Sequence, residues 1–491
     1  MKSRLFAAFL ALCLIICCAG CSKNAPGDPT QPGITIDPNI VALTVNGHQI
    51  RSIELNYFYV DAINEFINQY SSWITYILDV TKPLSQQYVT TDSDETWADQ
   101  FLDTAIESAK NTYALYDAAK DANYALSQSE QDSIHKLTEN LESFAKNYGF
   151  QDANAYLEEM YGNSATVDTY RNYYEVLITA SSYYNAYSED LKESYTEVIL
   201  QEFETDNEYK YNSYSYAYTY IEKKYFESEN AMLQAVQTLN VATNNTVETL
   251  NGAIAALDKT YDPDNANFST ATEVTDQVYS NVNSLMQEWI RSENRQPGDI
   301  TAIRNVTTGS GGSEVTSGYY IVLFGGVNEN RFALANVRHI LVAFQSSDGK
   351  TYSAEDKEKA KNEAQKIYDE WLANDPTEES FSALAKEHTD DGNGDVGGIY
   401  YDIYPGQMVQ TFNDWCFDDR KSGDHGLVMT EYGYHIMYYS GDSETTFRNF
   451  MISSDKLSVD MEAWQKALLE AAQLEILDTS CVDMDYIINR N

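Results

Sequence analysis

Hydrophobic spacing changes period several times along the chain, and each change marks an element. "VALTVNGHQI" (residues 41–50) alternates apolar and polar positions and breaks at Asn46-Gly47, which predicts a strand and a tight turn. Ser52 reads as the cap of a helix in which Leu55, Phe58, Ala62 and Phe66 recur at helical intervals. Similar patterns cover 95–127, 128–148, 151–162 and 166–205, so 41–206 reads as a mostly α-helical domain.

From 207 the texture changes. "YKYNSYSYAYTYI" alternates as a strand does, and two helical stretches follow it. "MQEWIRSENRQPGD" then leads to "SGYYIVLF". Further on, "FNDWCFDDRKSGD" leads to "YGYHIMYY". In both places a tryptophan (Trp289, Trp415) precedes a Gly-Asp pair and then a Gly-Tyr-x-Ile run (Gly318, Gly433). The spacing predicts a duplicated α/β unit, with copies at 207–330 and 334–442.

The second copy reads as a strand from Val337 to Phe344, then a helix to Ala373 opened by a Ser353–Asp356 capping box. A short helix at Phe381–Lys386, the glycine-rich loop and turn "HTDDGNGDVGGIYYDIYPG", a third helix in "QMVQTFNDWCF" and a strand at Tyr434–Tyr439 complete it. An amphipathic helix within 457–478 is expected to dock back onto the N-terminal domain. The fold class is therefore α+β and multidomain.

Composition narrows the setting. At 491 residues, two to four domains are expected. The 39 tyrosines and 9 prolines suit long helices with aromatic faces. Four of the six cysteines lie at 13, 17, 18 and 21, leaving Cys416 and Cys481. That excludes a disulfide framework and a cysteine-based metal centre, while one bridge between these two stays open. Lys2 and Arg4 precede a short apolar run ending in Cys18-Ala19-Gly20-Cys21. This resembles a bacterial lipobox, with Cys21 the lipidated first residue, although Cys18 stands where an aliphatic residue is usual. An ordinary secretory signal is the alternative. Residues 22–40 read as a flexible tether. The net charge of −43 excludes nucleic acid as a natural partner, since phosphate binding needs the opposite sign. An acidic body also repels anionic lipid, so membrane attachment would rest on the Cys21 lipid.

The candidate chemistry lies in two of only six histidines. His339 and His435 each stand in an apolar strand, where a lone histidine is ordinarily a satisfied core residue. The ordered signatures "VRHILV", "GQMVQTFNDWCF" and "TEYGYHIMYY" resemble the parvulin family of peptidyl-prolyl cis/trans isomerases across 334–442. With the helical domain, the closing helix and the lipobox, the whole chain is similar to PrsA-type foldase lipoproteins.

The resemblance implies a small antiparallel sheet surrounded by helices. It makes His339 and His435 a facing pair and Thr430 their hydroxyl neighbour. Counting back from the "GQM" run, Asp391, next to Asp390, falls where the family has Cys or Asp, and Tyr400 falls where leucine is usual, narrowing or polarising the edge of the substrate pocket. Met408 and Phe412 would grip the proline ring, and Tyr432 occupies a commonly aromatic position. Isomerisation breaks no bond, so no metal or cofactor is expected. The implied partners are unfolded or nascent secreted polypeptides containing X-Pro bonds, held in part by a chaperone-like helical domain. The loop after the first strand lacks the basic cluster of phosphate-preferring parvulins, so no phosphate preference is expected. In the first copy Tyr320 replaces His435, and no histidine occurs between His135 and His339. That copy reads as a non-catalytic binding or spacer module. The rival readings are a peptide-binding chaperone without isomerase activity and an adhesin or solute-binding lipoprotein.

Overall fold

The computed structural model describes residues 37–205, 207–242, 246–261, 268–308, 312–346, 351–480 and 482–488. The apolar N-terminal run, Cys21, most of the tether and Cys481 lie outside the described residues. Two compact units are formed, one by residues up to Tyr195 together with those from Leu457 onward, the other by Thr196–Lys456. No helix among the described residues is long and apolar enough to cross a membrane.

In the first unit Asn46 and Gly47 both take positive φ (51° and 85°), closing a two-residue turn between β1 (Val41–Val45) and β2 (His48–Arg51). Helices α1 (Ser52–Tyr70), α2 (Ile74–Ile77), α3 (Trp97–Asp121), α4 (Gln128–Asn147), α5 (Ala153–Tyr161) and α6 (Val167–Glu193) follow. Reciprocal capping boxes start three of them, at Thr96/Asp99, Ser127/Glu130 and Thr166/Thr169. Two expectations fail here. Arg51, not Ser52, is the cap position of α1, because β2 runs straight into the helix; the Ser52 hydroxyl donates to the Asp37 carbonyl instead (2.6 Å). The helix expected over 166–205 ends at Glu193, and Thr196 caps a separate α7 (Glu197–Glu204) that opens the second unit.

The aromatic excess fills the first unit's helix interfaces. Tyr57 alone touches Tyr161, Tyr170 and Tyr173 at centroid distances of 5.0–5.3 Å.

The second unit holds two four-stranded antiparallel sheets of one design. The first copy contains β3 (Ser213–Glu222), α8 (Glu229–Ala242), α9 (Val247–Tyr261), β4 (Thr272–Val278), α10 (Ser284–Ile290), β5 (Ile300–Thr308) and β6 (Glu314–Asn328), with strand order β4-β3-β6-β5. The second contains β7 (Ala333–Ala343), α11 (Ala354–Ala373), α12 (Glu378–His388), β8 (Ile399–Ile403), α13 (Gln410–Cys416), β9 (His425–Met429) and β10 (Gly433–Thr446), with order β8-β7-β10-β9.

Side chains repeat as well as strands. Arg295 lies over Trp289 and Arg420 over Trp415, at 3.9 and 4.7 Å, and each arginine Nε donates to that tryptophan's carbonyl. A Cβ at Gly318 would come within 2.5 Å of the Ile221 carbonyl oxygen, and one at Gly433 within 2.2 Å of that of Val342. Only glycine fits either close approach.

The glycine-rich stretch expected as loop contains the strand β8. Gly398, at φ +71°, lets the chain press against β7, where a Cβ would sit 2.2 Å from the His339 carbonyl oxygen. Arg448, buried at the start of α14 (Phe447–Ala471), ties the copies together within this unit. It pairs with Glu204 and donates to the Asn212 side chain (2.7 Å) and to the carbonyls of Glu208 (2.9 Å) and Glu329 (3.0 Å). Further along α14, in the first unit, Trp464 stacks on Tyr187 (4.0 Å) and Gln465 bonds Asn111 (3.1 Å). The closing helix thus docks on the helical domain as expected, and β11 (Leu474–Ile476) then pairs with β1.

Candidate active site

Strand register brings the two histidines together. In the central pair of the second sheet, His339 of β7 faces Met437 of β10, and His435 faces Leu341. The imidazoles are therefore diagonal neighbours on one face of the sheet. Their Nδ1 atoms lie 3.0 Å apart and the rings are 5.2 Å between centroids, inclined by 23°. Both residues are buried, at 1% and 5% exposure, so each ring nitrogen needs a partner.

The tight turn between β9 and β10 supplies one. Thr430 Oγ1 lies 2.9 Å from His435 Nε2 and itself accepts the Tyr432 backbone N–H (3.2 Å). The loop after α12 supplies another. Asp391 Oδ2 lies 2.8 Å from His339 Nε2, although the contact is bent and the ring N–H does not point squarely at the oxygen. Oδ2 also accepts the Tyr400 hydroxyl (2.9 Å), and Oδ1 accepts the Gly392 N–H (2.7 Å). The adjacent Asp390 does a different job, accepting the Ala343 backbone N–H at 2.9 Å.

Around this chain of polar contacts lies an apolar shell. Phe412 of α13, 2% exposed, stands edge-on to both imidazoles at 5.4 and 5.3 Å, with interplanar angles of 83° and 86°. Half-buried Met408 packs into the same cluster. Tyr400, on β8, lies nearly parallel to the His339 ring at 5.3 Å and 26°. Tyr432 is not drawn into the network through its side chain, which is exposed at the turn.

The charges follow from these contacts. The close contact with His339 pulls the Asp391 carboxyl down to about 2, with Tyr400 and Gly392 helping and partial burial opposing. Burial, with Asp391 second, pushes the Tyr400 phenol up to about 12. Burial, then the neighbouring His339, pushes His435 down to about 3, so His435 is neutral near pH 7. Asp391 favours a proton on His339 Nε2. Among neutral rings, His339 Nδ1 then accepts from His435 Nδ1–H, and His435 Nε2 accepts from the Thr430 hydroxyl. Cys416, buried near this shell and without a disulfide partner among the described residues, is pushed up by burial to about 12, which makes its thiol a poor nucleophile. Among the described residues no group of three or more histidine, cysteine, aspartate or glutamate side chains is placed to hold a metal ion.

His425, which the sequence pattern assigns to no element, begins β9; its ring packs edge-on against Trp371 (4.9 Å) and its Nδ1 bonds the Tyr368 hydroxyl (2.5 Å).

Comparison with known proteins concerns this same region. Residues 320–442 match the family described as the PPIC-type PPIASE domain. A curated relative, the foldase protein PrsA of Caldanaerobacter subterraneus subsp. tengcongensis, is 28% identical over 156 residues, covering 30% of this chain and 44% of that protein. The chain thus spans under half the length of that relative. Solved structures similar to the chain include PrsA from Bacillus subtilis, at 15% identity and a TM-score of 0.25, covering 80% of this chain and 95% of that one. PrsA from Bacillus anthracis is 11% identical with a TM-score of 0.19, covering 73% and 92%. The chain therefore carries a parvulin-type peptidyl-prolyl isomerase domain of the PPIC class.

Proposed function

We propose that the protein is a peptidyl-prolyl cis/trans isomerase and foldase, acting without phosphate preference on unfolded or nascent secreted chains. The observation that carries this reading is the buried His339–His435 pair, bonded to Thr430 and bordered by Asp391, beside Met408 and Phe412. Rotation about an X-Pro bond faces a barrier of about 18–20 kcal/mol, set by amide resonance. A catalyst must bind the twisted amide better than the planar one. Met408, supported from below by Phe412, offers the proline ring an adaptable apolar contact. Seating the ring there removes water from the preceding carbonyl, and loss of its hydrogen bonds weakens the resonance that keeps the amide flat. The imidazoles fix the geometry of this wall through Thr430 and Asp391. They exchange no proton with substrate. Asp391 contributes a fixed negative charge near the carbonyl.

The N-terminal apolar run ending at Cys21 supports an extracytoplasmic location with a lipid anchor at that cysteine. Incorporation of labelled palmitate that is lost in Cys21→Ala checks the anchor. The isomerase reading is tested by a protease-coupled assay on a proline tetrapeptide with wild type, His339→Ala and Met408→Ala. Acceleration by the wild type, reduced in both variants, is expected. Equal, uncatalysed rates in all three would leave a peptide-binding chaperone.

A further inference from the structure

Asp391 poses a mechanical problem. Its side chain sits on a loop, 28% exposed, and the only support from its own segment is the Gly392 N–H on Oδ1. His339 does not hold it, because the 2.8 Å contact from Nε2 is bent and lacks most of the directional strength of a hydrogen bond. Tyr400 can hold it. Pairing of Tyr400 with Val337 fixes its backbone on β8, its ring lies along the His339 ring, and its hydroxyl meets Oδ2 at 2.9 Å.

We propose that Tyr400 is a positioning residue of the isomerase site: its hydroxyl holds Asp391 against His339 Nε2 and thereby sets the direction in which the imidazole pair shares its protons. The proposal rests on the isomerase reading of this site. With the carboxylate in place, the donors run from Thr430 through His435 to His339 and end on Asp391. Without the Tyr400 hydroxyl, Oδ2 keeps only the bent contact, and a part-exposed carboxylate turns toward water, where its hydration is stronger. His339 Nε2 then loses even the bent contact that favours a proton there. Moving the ring proton to Nδ1 relieves this and reverses the order, so that His339 donates to His435 and His435 donates to Thr430.

That reversal is a signature that loss of packing alone does not produce. The full chain is prepared as wild type, Tyr400→Phe and Asp391→Asn. The histidine ring ¹⁵N resonances are recorded for each, and tetrapeptide isomerisation is measured. In Tyr400→Phe, which keeps the ring, His339 Nε2 is expected to change from a protonated to an unprotonated resonance. The turnover number is expected to fall about tenfold, the scale of one lost charge-assisted hydrogen bond, with KM little changed. Asp391→Asn, which leaves Tyr400 in place, should show the same tautomer change. Wild-type ring resonances in either variant would overturn the proposal. A wild type that does not isomerise the peptide would overturn the isomerase reading instead, and the ring resonances would still decide the role of Tyr400.

Discussion

The two copies in the second unit share strand order, the paired close-packed glycines and the arginine-capped tryptophans. They differ where chemistry would be done. Aligned on Gly318 and Gly433, Tyr320 occupies the place of His435. Strand register puts Tyr218, opposite Val322, where His339 stands opposite Met437. The tyrosine rings lie 6.3 Å apart and belong to an apolar cluster with Met286 and Val322. Arg304 pairs with Tyr319 as Met429 pairs with Tyr434, which puts Asn305 where Thr430 stands, so the first copy lacks the hydroxyl that serves His435. The comparison teaches that this sheet needs no histidine in order to fold. A half-buried phenol can direct its hydroxyl to water, whereas two buried imidazoles demand a matched set of partners. The second copy maintains that set, as the proposed isomerase role requires.

The sharpest way to break the comparison is to make the second copy resemble the first. His435→Tyr is expected to lower isomerisation by roughly a hundredfold while the sheet still forms, since the first copy holds tyrosine there. Tetrapeptide rates and circular dichroism check both halves of that statement. The converse double substitution, Tyr218→His with Tyr320→His, should destabilise the first copy by about 2 kcal/mol and confer no activity, because no counterpart of the Thr430 hydroxyl serves the new rings. Denaturant unfolding reads the loss. Met408→Ala, which removes apolar contact without touching the polar chain, should lower kcat/KM about tenfold.

The smallest effects concern pH. His435 changes charge only near 3, so its ring ¹⁵N resonances should not titrate between pH 8 and about 5. A His435 midpoint near 6.5 would contradict its neutral assignment. Stability should respond oppositely in the two units. An unfolded histidine binds more protons than His435 does between about 6.5 and 3, so the site's contribution is full above that window and declines as pH falls through it. In the first unit, burial raises Asp61 to about 6 and Glu54 to about 7, with hydrogen bonds from Tyr161 and Tyr173 to Asp61 and from Tyr113 to Glu54 partly opposing this. Those carboxyls contribute stability below the unfolded value near 4, and it is lost as pH rises through 6 to 7. Hydrogen exchange at pH 5 and pH 8 should find the first unit better protected at the lower pH and the β7–β10 strands at the higher.

Much of the site was legible because it depends on order and spacing within strands. His339, Thr430 and His435 lie in regular elements, where alternation fixes the face and a tight turn fixes the register. Asp391 was placed by counting back from "GQM", and the structure brings it rather than Asp390 to the imidazole. The strand β8 was hidden by its glycines: Gly397 and Gly398 read as loop, yet their positive φ is what lets the chain fold back against β7. With β8 missed, Tyr400 was read as a pocket-edge residue, and its bond to Asp391 could not be seen. Ser52 failed as a cap because strand β2 enters the helix directly, a tertiary constraint that local residue preference does not contain. The break before Thr196 was written in the sequence as a cap, but continuing helical periodicity on both sides obscured it.

The central claim is that one copy isomerises and the other does not. It is tested most directly by tetrapeptide isomerisation with the full chain carrying either His435→Tyr or Tyr320→Phe. The account predicts catalysis roughly a hundredfold below wild type for the first and the wild-type rate for the second. A wild-type rate with His435→Tyr, or a rate lost with Tyr320→Phe, would contradict it.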